Sequence, residues 1–167
     1  MSQFQIEPID AALCEHVRRT RTDPIFGYDY DVRVSVAGPT GYGPCRQCLK
    51  TFSEGERRLL FLHNPFGARL GDYAAPVFIH ESSCEPFTPR ATLPDELLVL
   101  PLLLRSYDKS GHFVDEKTLA DGDVSALLDN QFTNEVVDVV HLRNIEAKCY
   151  VARVVRVNGA GTDLANR

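Results

Sequence analysis

No stretch of this chain that favours burial runs far before something interrupts it. The longest apolar run, residues 97–104, is cut by Pro101 and ends at Arg105; proline has no amide to donate and clashes with the preceding helical turn. Such a run falls well short of the ~20 residues a membrane-spanning helix needs, so no membrane partner is expected. Two shorter runs, 59–62 and 76–80, are bounded by Asn64-Pro65-Phe66-Gly67 and by Ser82-Ser83. They read as core strands joined by an exposed loop.

Local periodicity supplies the remaining elements. Phe4 and Ile6 alternate with polar residues as an edge strand does, and Asp10 stands where an N-cap opens a helix over residues 11–20 with Leu13, Cys14 and Val17 as its apolar stripe. Residues 31–37 alternate Val32, Val34 and Val36 with Asp31, Arg33 and Ser35, the pattern of a half-buried strand. Residues 38–44 carry three glycines and two prolines and form an irregular loop leading to Cys45. Pro94-Asp95-Glu96 opens a short helix that Pro101 ends; residues 102–107 read as a strand, Asp108-Lys109-Ser110-Gly111 as a turn, and Phe113-Val114 as its hairpin return. Asp121 or Asp123 caps a second full helix bearing Val124, Leu127, Leu128 and Phe132, and residues 136–142 and 149–157 form a final strand pair.

Strands that cluster rather than alternate with helices predict an α+β fold with a mostly antiparallel sheet and two or three helices. No linker divides the chain, so a single domain over residues 1–157 is expected, with a frayed tail at 158–167. At 167 residues, 44% hydrophobic and 25% charged, the chain can bury a core of its own. A net charge of -5 disfavours nucleic acid as a partner. Residues 1–20 lack the basic stretch and apolar core of a secretory signal, and five cysteines at irregular spacing read as reduced thiols, so a cytoplasmic location is expected.

Chemistry concentrates in few places. Cys45-x-x-Cys48 and His80-x-x-x-Cys84 are two pairs of soft ligands, each spaced so that one turn can direct both side chains to one ion. Four such ligands make a closed tetrahedral zinc site, structural because no position is left for water. Two other readings use the same residues: ordinary buried thiols, or a Cys45–Cys48 thiol-disulfide couple with Arg46 stabilising the thiolate. In the latter, Ser53 and Gly55 indicate a turn where such couples ordinarily have a helix. A third candidate is an Arg-lined cleft: Arg46, Arg105, Arg153 and Asn144 for a carboxylate or phosphate, with Cys149 and His141 as a thiol nucleophile and its base. Arg18-Arg19-Thr20-Arg21 reads as cations at a helix C-terminus.

Four blocks in order, Pro44-Cys45-Arg46-Gln47-Cys48-Leu49, Ala75-Pro76-Val77-Phe78-Ile79-His80, Leu104-Arg105-Ser106-Tyr107-Asp108 with Gly111, and His141-Leu142-Arg143-Asn144 with Cys149-Tyr150-Val151-Ala152-Arg153-Val154, resemble an uncharacterised bacterial family, domain of unknown function 1203. The resemblance implies a bacterial source and no assigned reaction. The sequence thus points first to a non-enzymatic binding or interaction module with a structural zinc site. The alternative is an enzyme or small-anion-binding protein using the arginine cleft. A protein partner fits the first and a small anionic ligand the second, and oligomeric state is not legible. Whether Arg46, Arg105, Arg153, His141 and Cys149 gather in space separates the two.

Overall fold

The computed structural model describes residues 3–22, 32–40, 43–67, 73–119 and 123–157. Among these are eight strands, every pairing antiparallel, and three helices: the α+β class the sequence predicts. Contacts divide the chain into two compact units, one of Met1–Glu7 and Thr88–Arg167, the other of Pro8–Phe87.

The first unit holds a five-stranded sheet. Its strands are β1 (Phe4–Glu7), β5 (Leu102–Tyr107), β6 (Phe113–Leu119), β7 (Val139–Asn144) and β8 (Tyr150–Arg156), in the order β1-β8-β7-β5-β6. The run Leu102-Leu103-Leu104 is apolar without alternation because β5 is an interior strand buried on both faces. The short helix predicted to run through Leu100 to Pro101 is α2 (Asp95–Leu98), which stops at Leu98 before the proline is reached. Asp123 caps α3 (Val124–Phe132), its carboxylate accepting from Ser125 N at 2.8 Å; Asp121, the other possible cap, lies outside the described residues. The α3 helix packs by a Phe4–Phe132 ring stack at 5.7 Å and a buried Ser106–Gln131 hydrogen bond of 2.5 Å. Arg156 donates to the Phe132 carbonyl at 2.9 Å, satisfying an acceptor left over where α3 ends.

The second unit holds β2 (Arg33–Val36), β3 (Arg57–His63) and β4 (Ala75–His80) in the order β2-β3-β4, together with α1 (Ala11–Thr20). The α1 helix starts where Asp10 accepts from Leu13 N at 3.0 Å and ends at Arg21, which takes the left-handed conformation at φ 56°. Cys14 and Val17 form its buried stripe, while Leu13 is only half-buried. Past Cys48, Leu49 stands at φ 59° and the chain reverses to bridge Thr51 to Pro44; the predicted turn follows, with Gly55 at φ 83°.

Four expectations need correction. The alternating valines do not make a half-buried strand: β2 is an edge strand, and Val34 and Val36 are exposed, with Asp31 outside the described residues. The start of the loop after β3 is not exposed, because Asn64 turns its carboxamide back to Phe66 N at 2.9 Å and both residues are buried. Strand β7 starts at Val139 rather than 136, the preceding residues being turned at the end of α3. The last strand, expected over 149–157, is Tyr150–Arg156, so Cys149 precedes it, and a bulge carries the register from Leu142↔Ala152 to Arg143↔Tyr150. Gly41, Tyr42 and residues 158–167 of the predicted loop and tail lie outside the described residues.

Leu104 is fully buried in β5 and paired on both sides, so its truncation would leave a cavity in the sheet's interior. Leu104→Ala is expected to lower unfolding free energy by about 2–5 kcal/mol in a urea titration. Val36→Thr on the exposed edge is expected to stay within about 0.5 kcal/mol of the parent. Equal effects would contradict the burial assigned to the two strands.

Candidate metal centre

Three pieces of the Pro8–Phe87 unit converge on one point. Cys45 and Cys48 lie on the tight reversal between Pro44 and Thr51, closed by Cys45 N to Lys50 O at 2.9 Å and Leu49 N to Cys45 O at 2.8 Å. His80 ends β4, and the reversal is tied to that strand by Arg46 N donating to Phe78 O at 2.9 Å. Cys84 follows on a segment without regular structure. The Sγ atoms of Cys45, Cys48 and Cys84 and a ring nitrogen of His80 all lie within 4.8 Å of one another.

The separations can be tested against metal geometry. Around tetrahedral zinc with metal–sulfur bonds of about 2.3 Å, two sulfurs stand about 3.8 Å apart, and a sulfur and a histidine nitrogen about 3.6 Å. Cys45 Sγ lies 3.9 Å from Cys84 Sγ, and Cys48 Sγ lies 3.6 Å from His80 Nδ1. The donor set and its spacing could therefore hold a metal ion such as zinc.

The surroundings fit the same role. His80 presents Nδ1 to the sulfurs while its Nε2 lies 3.4 Å from Glu56 Oε2, the carboxylate–histidine arrangement that fixes ring orientation and tautomer in metal sites. The His80 amide donates to Cys45 Sγ at 3.4 Å, and the Phe52 ring packs 4.6 Å from the imidazole. Arg18, its side chain only 6% exposed, donates from Nε to the His80 carbonyl at 3.0 Å and from Nη2 to Gln47 Oε1 at 2.6 Å and Cys84 Sγ at 3.6 Å. Three thiolates around a divalent ion leave one net negative charge, which a buried guanidinium offsets.

Hydrogen bonding among the three sulfurs pulls their titrations apart. Hydrogen bonds from Cys48 and Cys84 hold the Cys45 thiol far below its usual range. The hydrogen bond to that thiolate pushes Cys48 far up and Cys84 up to about 11, while contact with Cys45 and Cys48 raises His80 to about 10. A divalent cation at the centre would let all three become thiolates with a neutral imidazole.

Sequence reasoning missed Arg18, Gln47 and Glu56. Arg18 reads as a helix-end cation, and the signal that it turns inward is its position one helical turn beyond the buried Cys14. Glu56 lies outside any ligand spacing and reaches His80 only because β3 and β4 pair.

The other predicted residues are placed as follows. Arg105, His141 and Arg153 lie side by side across β5, β7 and β8. Arg105 donates Nε to Glu116 and Arg153 donates Nε to Glu7 at 2.8 Å. His141 is buried, its ring 4.8 Å from that of Tyr107 and 5.4 Å from that of Tyr150. Cys149 Sγ donates to the Ala147 carbonyl at 3.7 Å, and Asn144 Oδ1 accepts from Glu146 N and Ala147 N at 2.9 Å, closing the turn before β8. Arg46 belongs to the Pro8–Phe87 unit and donates Nη1 to the Pro44 carbonyl.

The remaining cysteine, Cys14, is fully buried, and burial pushes its thiol up to about 12. In the native chain iodoacetamide is expected to alkylate Cys149 at least about tenfold faster than Cys14, because the thiolate is the reactive form and exposure governs access. Peptide mass spectrometry over a time course reads this directly, and equal rates would contradict the packing of α1.

The four sequence blocks all fall within the stretch that one comparison with known proteins matches. A family model described as "Protein of unknown function (DUF1203)" matches residues 42–156, which include all four residues of the cluster. No curated protein and no solved structure matches the chain. Since the match covers well over half of the sequence, the chain belongs to the family of unknown function DUF1203.

Proposed function

We propose that Cys45, Cys48, His80 and Cys84 form a closed structural zinc centre, and that the protein is a non-enzymatic binding or interaction module whose Pro8–Phe87 unit the metal stabilises. The observation that carries this reading is the set of four soft donors within 4.8 Å of one another, two of whose separations, Cys45–Cys84 at 3.9 Å and Cys48–His80 at 3.6 Å, match the edges of a tetrahedral zinc site. Protein ligands fill every position, so no site remains for a metal-bound water. Among first-row metals, three thiolates and one imidazole in a tetrahedron favour zinc. A reducing bacterial cytoplasm suits the reading, since all five cysteines are free thiols.

Metal content by inductively coupled plasma mass spectrometry, on protein purified without a histidine tag, is expected to give about one zinc per chain. Cys48→Ser is expected to lower the zinc affinity by well over about tenfold. Parent protein that is folded and carries far less than one equivalent, even after zinc is supplied, would overturn the proposal.

A second reading rests on the row Arg105–His141–Arg153: a small carboxylate or phosphate held on the β5–β7–β8 face, with no reaction assigned. Glu116 and Glu7 already engage the two arginines, so an anion must compete with both. Calorimetric titration with inorganic phosphate is expected to show binding that Arg153→Gln abolishes. No heat of binding to the parent protein would end this reading.

A further inference from the structure

The four ligands are not equally protected. Cys45 is completely buried and Cys48 is 6% exposed, whereas Cys84 is only half-buried. Cys84 also lies outside the tight reversal and outside any strand or helix. Its segment is anchored by Glu81 N to Arg57 O at 3.0 Å on one side and by Phe87 N to Gln47 O at 2.9 Å on the other. The sulfur against which it stands is Cys45 Sγ, at 3.9 Å, with the Arg18 guanidinium 3.6 Å away. A disulfide needs the sulfurs at about 2.05 Å, so an approach of roughly 2 Å by the segment carrying Cys84 would suffice.

We propose that the centre is a peroxide-sensitive zinc site in which oxidation begins at Cys84 and ends in a Cys45–Cys84 disulfide, with release of the metal. This rests on the zinc reading above. In the first step the Cys84 thiolate attacks hydrogen peroxide; the O–O bond breaks, an S–O bond forms, and with one proton the products are a sulfenic acid and water. In the second, the Cys45 thiolate attacks the Cys84 sulfur; the S–S bond forms, the S–O bond breaks, and hydroxide leaves as water after taking a second proton. Two thiolates are oxidised by two electrons, one peroxide is reduced to two waters, and Zn²⁺ departs because Cys48 and His80 alone do not complete its tetrahedron. The outcome differs from the Cys45–Cys48 couple that the sequence spacing suggests. Both pairs include Cys45, but the thiol within an oxidant's reach is Cys84.

The test uses the zinc-loaded full-length chain, with metal content measured first. Hydrogen peroxide is added in excess, released zinc is followed with a chromogenic chelator, and samples quenched in acid and blocked with maleimide are mapped by non-reducing peptide mass spectrometry. The expected result is loss of about one zinc per chain in step with a Cys45–Cys84 cross-link, both reversed by dithiothreitol and added zinc. Zinc retained under excess peroxide, or released with a Cys45–Cys48 bridge or without any bridge, overturns the inference while leaving the zinc site standing. Failure of the untreated protein to hold zinc refutes the underlying reading and this inference with it, and the initial metal measurement shows which has failed.

Discussion

Three cysteine sulfurs brought within a few ångströms of one another cannot all carry charge unless a cation joins them. In the Pro8–Phe87 unit a buried arginine points at Cys84, a glutamate backs the histidine, and α1, β4 and the reversal at Cys45 meet at one place, an arrangement compatible with such a cation. The described residues of this unit hold one three-stranded sheet and one helix, and on the zinc reading proposed above the free energy of metal binding would add to its folding free energy. The Met1–Glu7 and Thr88–Arg167 unit is built on different terms: a five-stranded sheet with an apolar interior strand and a helix packed on it.

Much of this was legible in the sequence, for identifiable reasons. Asp10 and Asp123 are caps whose carboxylates have one job, and Pro101 allows no continuation of a helix, so α1, α2 and α3 could be placed from local chemistry. The hairpin of β5 and β6 follows from a turn whose Asp108 accepts from both Ser110 N and His112 N. What failed was burial. Val34 and Val36 alternate as faithfully as any core strand, yet period-2 patterning says only that two faces differ, and an edge position leaves both open to water. The bulge at Val151 was likewise invisible, because one extra residue changes register without changing composition.

The cluster shows the same division. Ligand spacing identified the four residues, since each pair is local and one turn suffices to aim both members. Convergence of the two pairs depends on β3–β4 pairing and on the Arg46–Phe78 backbone contact, which are long-range. Arg18 and Glu56 depend on that convergence and could not be found before it. The arginines of the other unit illustrate the converse: residue type suggested a cleft, whereas cross-strand register gives Arg105 and Arg153 each a carboxylate one strand outward.

The placement of β1 beside β8 bears on the order of assembly. Every strand of the three-stranded sheet lies between Arg33 and His80, so that sheet can close as soon as a contiguous piece of chain exists. The five-stranded sheet takes its first strand from Phe4–Glu7 and pairs it with Tyr150–Arg156, far along the sequence. Long-range pairing of this kind is slow because a large loop must be closed before any contact rewards it. During synthesis on the ribosome the contiguous unit can therefore form while β1 still waits for the strand it needs.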